Sequence, residues 1–218
     1  MTFLVSFARS DVALLASDMR TRWRGLDDDA PVECWDDGTV KVVPFTAGFL
    51  AGGPFVRFKD ALAAQLQEAT SPSEVRALVH AGAPVLLDAV EPEARPLLQV
   101  RHMTHVIGAT AGRVWRLVLR WDGADVFPGT PDPVVCALGP TGTTPAQLLP
   151  FINTYQAYVA RRQDVAEILH ATVALYGRVY RLCGPAGAVS PRLTVGLVRP
   201  SGARELIEST IEERVGIC

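Results

Sequence analysis

The fold is decided by residues 2–20, TFLVSFARSDVALLASDMR. Two apolar runs rich in strand formers, Phe3 to Ala8 and Val12 to Asp18, flank the polar Arg9-Ser10-Asp11. Such runs on either side of a short polar turn predict a β-hairpin. With Ala8 and Asp11 flanking the turn, opposed residue numbers sum to about nineteen. That register sets Thr2 across from Ser17, with Asp18 next along, so the hairpin carries a carboxylate back toward the second residue.

The rest of the chain extends this start. Asp37-Gly38, between VECW and TVKVV, is the pair that a tight hairpin turn favours, and FTAGFLAGG reads as a further apolar strand. Helical spacing then takes over, with Phe55, Phe58, Leu62, Leu66 and Ala69 on one face. Ser71-Pro72-Ser73-Glu74 has capping-box spacing with proline at the first helical position, which predicts the start of a second helix. Strand patterns return in THVIGA, RVWRLVLRW, ADVF and PVVCALG. Thr144-Pro145-Ala146-Gln147 opens a helix through Tyr158, and Asp164 caps another that Gly184-Pro185 ends. RLTVGLV and ARELIES close the chain as a strand pair. The order of strands, two helices, strands, two helices, strands predicts an α+β fold: two packed antiparallel sheets with helical layers on both outer faces.

Composition is consistent with one domain spanning residues 1–218. At 218 residues and 49% apolar content, the chain can bury a sizeable core. A net charge of −2 gives no electrostatic reason to expect a nucleic acid or membrane partner. No apolar run reaches the roughly 18 residues of a membrane span. The N-terminus lacks the basic and apolar regions of a secretory signal. Cys34, Cys136, Cys183 and Cys218 show no CxxC spacing, which suggests reduced thiols and a cytoplasmic protein without a zinc framework. His102 and His105 in RHMTH lack an evident third metal ligand, and GPTGTT lacks the lysine of a phosphate loop, so no cofactor is expected.

The chemistry suggested by the N-terminus is nucleophilic. A threonine exposed by removal of Met1 can act through its own α-amine, which titrates at about 7.7–8.0 and so supplies a base near neutral pH. Such a site needs a cation near the amine and hydroxyl. Lys41 meets that need if its strand lies beside the first, with Asp18 to hold its ammonium. It also needs backbone N–H donors for the tetrahedral oxyanion, which Gly52-Gly53 at a strand-to-helix junction can present. Taken singly, Thr2 is only a small residue that permits methionine removal.

Together these residues resemble a known family. VALLASDMRT is similar to the second strand of proteasome β subunits, where two small residues precede Asp, any residue and Arg. TVKVVPFTAGFLAGG followed by an apolar-faced helix resembles their lysine strand and glycine turn. The same pattern resembles the bacterial HslV-type two-ring peptidase that partners an ATPase. The resemblance implies a four-layer αββα sandwich of the N-terminal-nucleophile (Ntn) hydrolases, with Thr2 as nucleophile and Asp18 and Lys41 as charge partners. Gly52 would donate to the oxyanion. Arg20 and Gly53 would support the site, with Thr141 standing for the family's late serine. Thr21 and the glycine turn would hold an extended peptide by strand addition.

For function, the resemblance implies a threonine-type peptidase acting on peptides or unfolded proteins. It implies assembly into homo-oligomers, often rings, and an ATP-driven unfoldase as partner. The chain departs from the family in RVYRLCGPAG, where a second aspartate is absent. The alternative readings are a catalytically silent proteasome-like scaffold subunit and a small-amide hydrolase of the same fold.

Overall fold

The computed structural model describes residues 3–23, 34–52, 56–88, 90, 92, 95–96, 103–120, 123–140, 143–162, 164–184 and 189–211. The first sheet contains β1 (Leu4–Arg9), β2 (Val12–Asp18), β10 (Cys136–Leu138), β11 (Arg192–Val198) and β12 (Arg204–Thr210), in the order β10-β1-β2-β11-β12. The second contains β5 (Val43–Phe45), β6 (Gly48–Gly52), β7 (Met103–Thr110), β8 (Arg113–Arg120) and β9 (Gly123–Pro128), in sequence order. A short ribbon pairs β3 (Thr21–Trp23) with β4 (Cys34–Asp36). Four helices complete the layers: α1 (Val56–Gln65), α2 (Pro72–Asp88), α3 (Pro145–Arg161) and α4 (Val165–Cys183).

Strand alternation explains the layering. Phe3, Val5 and Phe7 pack on one face of the first sheet against Tyr155 and Val159 of α3 and Leu175, Tyr176 and Val179 of α4. Leu4 and Ala8 point the opposite way and meet Phe49, Ala51, Ile107 and Val114 of the second sheet. On its outer face the second sheet buries Leu50, Val106, Leu117 and Leu119 against Phe58, Leu62 and Leu66 of α1 and its following turn, and Val75 of α2. Sheets covered on both faces require nearly unbroken apolar strands, as in β1 and β2, where every residue is buried. The architecture is the αββα sandwich predicted from the sequence.

Close approach of the two sheets is visible at Gly196. A Cβ there would lie 2.8 Å from the Phe49 ring. Among the described residues, no helix is long and apolar enough to cross a membrane.

Three local readings need correction. The first hairpin turns at Ser10-Asp11 alone, with Arg9 opposite Val12, so Leu4 pairs with Ser17 and opposed numbers sum two higher than predicted. Arg9 looks like a turn residue, yet its guanidinium is gripped by Asp11 at 2.5 and 2.6 Å and donates to the Val159 carbonyl at 3.1 Å. Those contacts let it stay in the strand. The predicted Asp37-Gly38 hairpin is also absent, because β4 pairs with β3. Asp36 instead accepts from the Gly38 amide and the Thr39 hydroxyl, at 2.7 and 2.6 Å, and Lys41 lies in an irregular segment. Finally, FTAGFLAGG contains a turn at Thr46-Ala47 and forms parts of two strands, β5 and β6.

Candidate functional site

The all-buried β2 delivers Asp18 to the end of the first sheet, where its side chain has no solvent exposure. The Asp18 amide donates to the Phe3 carbonyl at 3.3 Å, extending the hairpin ladder by one pair. In return, the Phe3 amide donates to Asp18 Oδ1 at 2.8 Å. Asp18 Oδ2 accepts from the Arg20 amide at 2.9 Å and from Lys41 Nζ at 3.3 Å. One carboxylate thus joins the start of β1, the exit from β2 and the segment bearing Lys41.

Burial is the largest influence on both charged partners. It pushes the Asp18 carboxyl above its ordinary value, against the opposing pull of Lys41 and the two amides. It pushes the Lys41 ammonium below its ordinary value, opposed by Asp18 and reinforced slightly by the positive charge of Lys59. Lys41 Nζ also donates to the Arg20 carbonyl. An ammonium whose proton is held less tightly than usual thus lies beside a buried carboxylate, a combination often met at functional sites.

Arg20 pairs through its side chain with Asp37. Its Nε and Nη2 grip Asp37 at 2.6 and 2.7 Å, and this contact holds the Asp37 carboxyl below its ordinary value. The pair ties the β2 exit to the 37–42 segment that carries Lys41.

Gly52 ends β6 at a φ of +103°, and a Cβ there would lie 2.5 Å from the Met103 carbonyl oxygen and 3.5 Å from the Leu4 side chain. Glycine is therefore required at this position, which lies against β1 one residue beyond Phe3. Asp18, Lys41, the Arg20 backbone and Gly52 all border the start of β1. Thr21 is placed only as a β3 residue opposite Asp36. Thr2, Gly53 and Thr141 lie outside the described residues.

Two contributors were missed in the sequence. Tyr176 of α4 is fully buried, donates its hydroxyl to the Phe3 carbonyl at 3.2 Å, and packs its ring 4.7 Å from that of Phe3. Burial raises its phenol pKa well above the ordinary value, so the hydroxyl is a permanent donor. Lys59 of α1 is buried and donates to the Val40 carbonyl at 3.1 Å, steadying the residue before Lys41. In the sequence, Tyr176 stands at helical spacing among apolar residues and carries no other signal. Lys59 had one available signal, a lysine three residues before Leu62 on the inward side of α1.

His105, half of the considered metal pair, is fully buried, with Nδ1 2.6 Å from the Ser6 hydroxyl. His102 lies outside the described residues. GPTGTT does act in part as a helix cap, since the Thr144 amide donates to Gln147 Oε1 at 2.8 Å.

No protein-family model and no curated protein matches the sequence. Solved structures do match in fold. Anbu (ancestral beta-subunit) from Yersinia bercovieri superposes with a TM-score of 0.64 at 13% identity, over 97% of this chain and 88% of that one. An Anbu (Gly-1) mutant from Hyphomicrobium sp. strain MC1 gives 0.59 at 15% identity, over 98% and 89%. These neighbours correct the family reading. The likeness is to ancestral β-subunit proteins, a distinct proteasome-like group, in place of the HslV-type peptidase named from the sequence. At this identity the likeness is one of fold.

Proposed function

We propose that the chain is an N-terminal-threonine hydrolase that cleaves peptide bonds through an acyl-enzyme on Thr2 once Met1 is removed. The observation that carries this reading is the Asp18 carboxylate, which holds the Phe3 amide on one oxygen and the Lys41 ammonium on the other. The residue directly after Thr2 is thereby docked on a buried acid–cation pair. Tyr176 fixes the Phe3 carbonyl from the helical side.

In the proposed mechanism the Thr2 amine takes the hydroxyl proton as the oxygen attacks the scissile carbonyl. Lys41 stabilises the developing charge, and the Gly52 amide donates to the tetrahedral oxyanion. The protonated amine then delivers its proton to the departing amine, breaking the C–N bond and leaving an ester on Thr2. The same amine activates the water that hydrolyses this ester. Gly53 and Thr141 act as supports, and Thr21 lies on the path of an extended peptide. The substrates on this reading are peptides or unfolded proteins, handled by a homo-oligomer with an ATP-driven unfoldase as partner.

One observation favours a second reading, a silent proteasome-like scaffold. The last turns of α4, Arg178-Val179-Tyr180-Arg181-Leu182-Cys183, carry no carboxylate where the resemblance implies one. Intact mass of untagged protein, followed by treatment with a β-lactone or epoxyketone electrophile, separates the two. Hydrolase chemistry gives Met1 loss and a single adduct that Thr2→Ala abolishes. Met1-free protein that forms no adduct on prolonged exposure supports the scaffold.

A further inference from the structure

The outer edge of the first sheet offers an interaction surface that is independent of the Thr2 reading. Edge strands invite pairing with another chain, and proteins guard them by keeping them short or by placing proline and charge on them. Among the described residues, three of the sheet edges are guarded in this way. β10 and β5 have three residues each, with Pro44 inside β5, and β9 carries Asp125 and ends at Pro128. β12 is different. It runs seven residues without proline or glycine and keeps an unbroken register with β11. Its residues are exposed apart from the half-buried Ile207 and Ser209, and no described strand pairs with its outer side.

The ladder shows which backbone groups this edge presents. The Ile211 amide donates to the Pro191 carbonyl at 2.6 Å, and the Arg199 amide to the Ala203 carbonyl at 2.9 Å, so Ala203 and Ile211 turn their backbone toward β11. An antiparallel ladder alternates, so Glu205, Ile207 and Ser209 do the same. Arg204, Leu206, Glu208 and Thr210 therefore turn their N–H and C=O groups outward. Their side chains share one sheet face, opposite Ile207, which packs with the helix-side core. Along that face the order is a cation, an apolar residue 45% exposed, and an anion: Arg204, Leu206, Glu208. Turned end for end about Leu206, this order is its own complement.

We propose that β12 pairs antiparallel with β12 of a second copy of this chain, about a two-fold axis at Leu206. Arg204 then stands opposite Glu208 of the second copy at both ends of the contact, and Leu206 meets itself at the centre. All three pairs fall on outward-facing residues, so each exchanges two N–H···O bonds and the two first sheets become continuous. Centring the axis on Ile207 would also satisfy the backbone, but it sets Glu208 opposite Leu206 and Arg204 opposite Thr210, matching no charges. Both charged groups are already held within the chain, Arg204 by the Phe45 carbonyl and Glu208 by Arg192 at 3.2 Å, so pairing has few new rotamers to fix.

The test places a thiol on the axis in the full chain. Opposed Cα atoms in a hydrogen-bonded antiparallel pair lie about 5.5 Å apart, within the roughly 4.4–6.8 Å that a disulfide spans. With copper-phenanthroline and air, Leu206→Cys should give a dimer whose link, mapped by mass, joins that position to itself, above the background of the wild type with its four cysteines. Adding Glu208→Arg sets like charges opposite each other and should slow linking about tenfold. Mixing that protein with Leu206→Cys carrying Arg204→Glu should restore the rate, because the two then complement each other. Leu206→Cys that stays unlinked, links only to a different protein, or links no faster than Ile207→Cys overturns the proposal. A rate indifferent to the charge reversals overturns it as well.

Discussion

The buried pair at the centre of the candidate site should behave as a strongly coupled unit. Asp18→Asn keeps the shape but leaves Lys41 without a counter-ion, and turns one amide nitrogen toward donors that the carboxylate now accepts from. Breaking a buried ion pair from one side costs about 3–5 kcal/mol, and the slight exposure of Lys41, 12% of its side chain, argues for about 3. Lys41→Met leaves the Asp18 charge without its cation at a similar cost of about 3 kcal/mol. In the double variant neither charge remains uncompensated, so it should lose about 3–4 kcal/mol, well short of the sum, with a coupling of about 2–3 kcal/mol. Urea unfolding of all four proteins at one pH measures this directly. The pH dependence adds a second check on Lys41→Met. Its Asp18 carboxyl is raised further above its unfolded value, and a raised folded pKa contributes stability at low pH that is lost as pH rises through it. The deficit of Lys41→Met should therefore shrink as pH falls toward about 4. Costs that add to within about 0.5 kcal/mol would refute the reasoning.

Two further predictions concern single positions. Gly52→Ala places a Cβ at φ +103° and 2.5 Å from the Met103 carbonyl, so it should cost more than about 2 kcal/mol, read as a fall in Tm. His105 is held neutral by burial, helped by the Arg116 charge, with its pKa lowered to about 3. A depressed folded pKa contributes stability that is complete above the unfolded value and lost as pH falls through the folded one. Wild-type stability should then drop by up to about 5 kcal/mol between pH 6.5 and 3, and His105→Gln should flatten that slope in a denaturant series across the window.

The layers were legible because periodicity records which faces are covered. β1 and β2 read as strands from their apolar runs, and α3 and α4 from helical spacing and caps. Register and loop path were less legible because long-range contacts set them. Arg9 stays in β1 through a carbonyl 150 residues away, which no local pattern encodes. TVKVV has strand-like alternation, but Asp36 ties up Gly38 and Thr39 while Asp37 is drawn to Arg20. The motif pairs Asp18 with Lys41, and their contact holds in the corrected register since Phe3 still delivers β1 to Asp18. Tyr176 joins the site across 173 residues and was invisible for the same reason as the Arg9 contact.

The two buried charge systems differ in a way that bears on their roles. Asp18 takes donors from three separate segments, two of them backbone amides, so its charge fixes where those segments meet. Burial opposes that charge, and an apolar residue of similar volume would avoid the desolvation cost. An apolar residue would also release the start of β1 from Lys41. The expense therefore goes into geometry at the start of β1, where the proposed nucleophile precedes Phe3. Arg116 is fixed by the Ser6 and Val134 carbonyls on a single nitrogen, and so ties β8 to β1 and to the segment before β10.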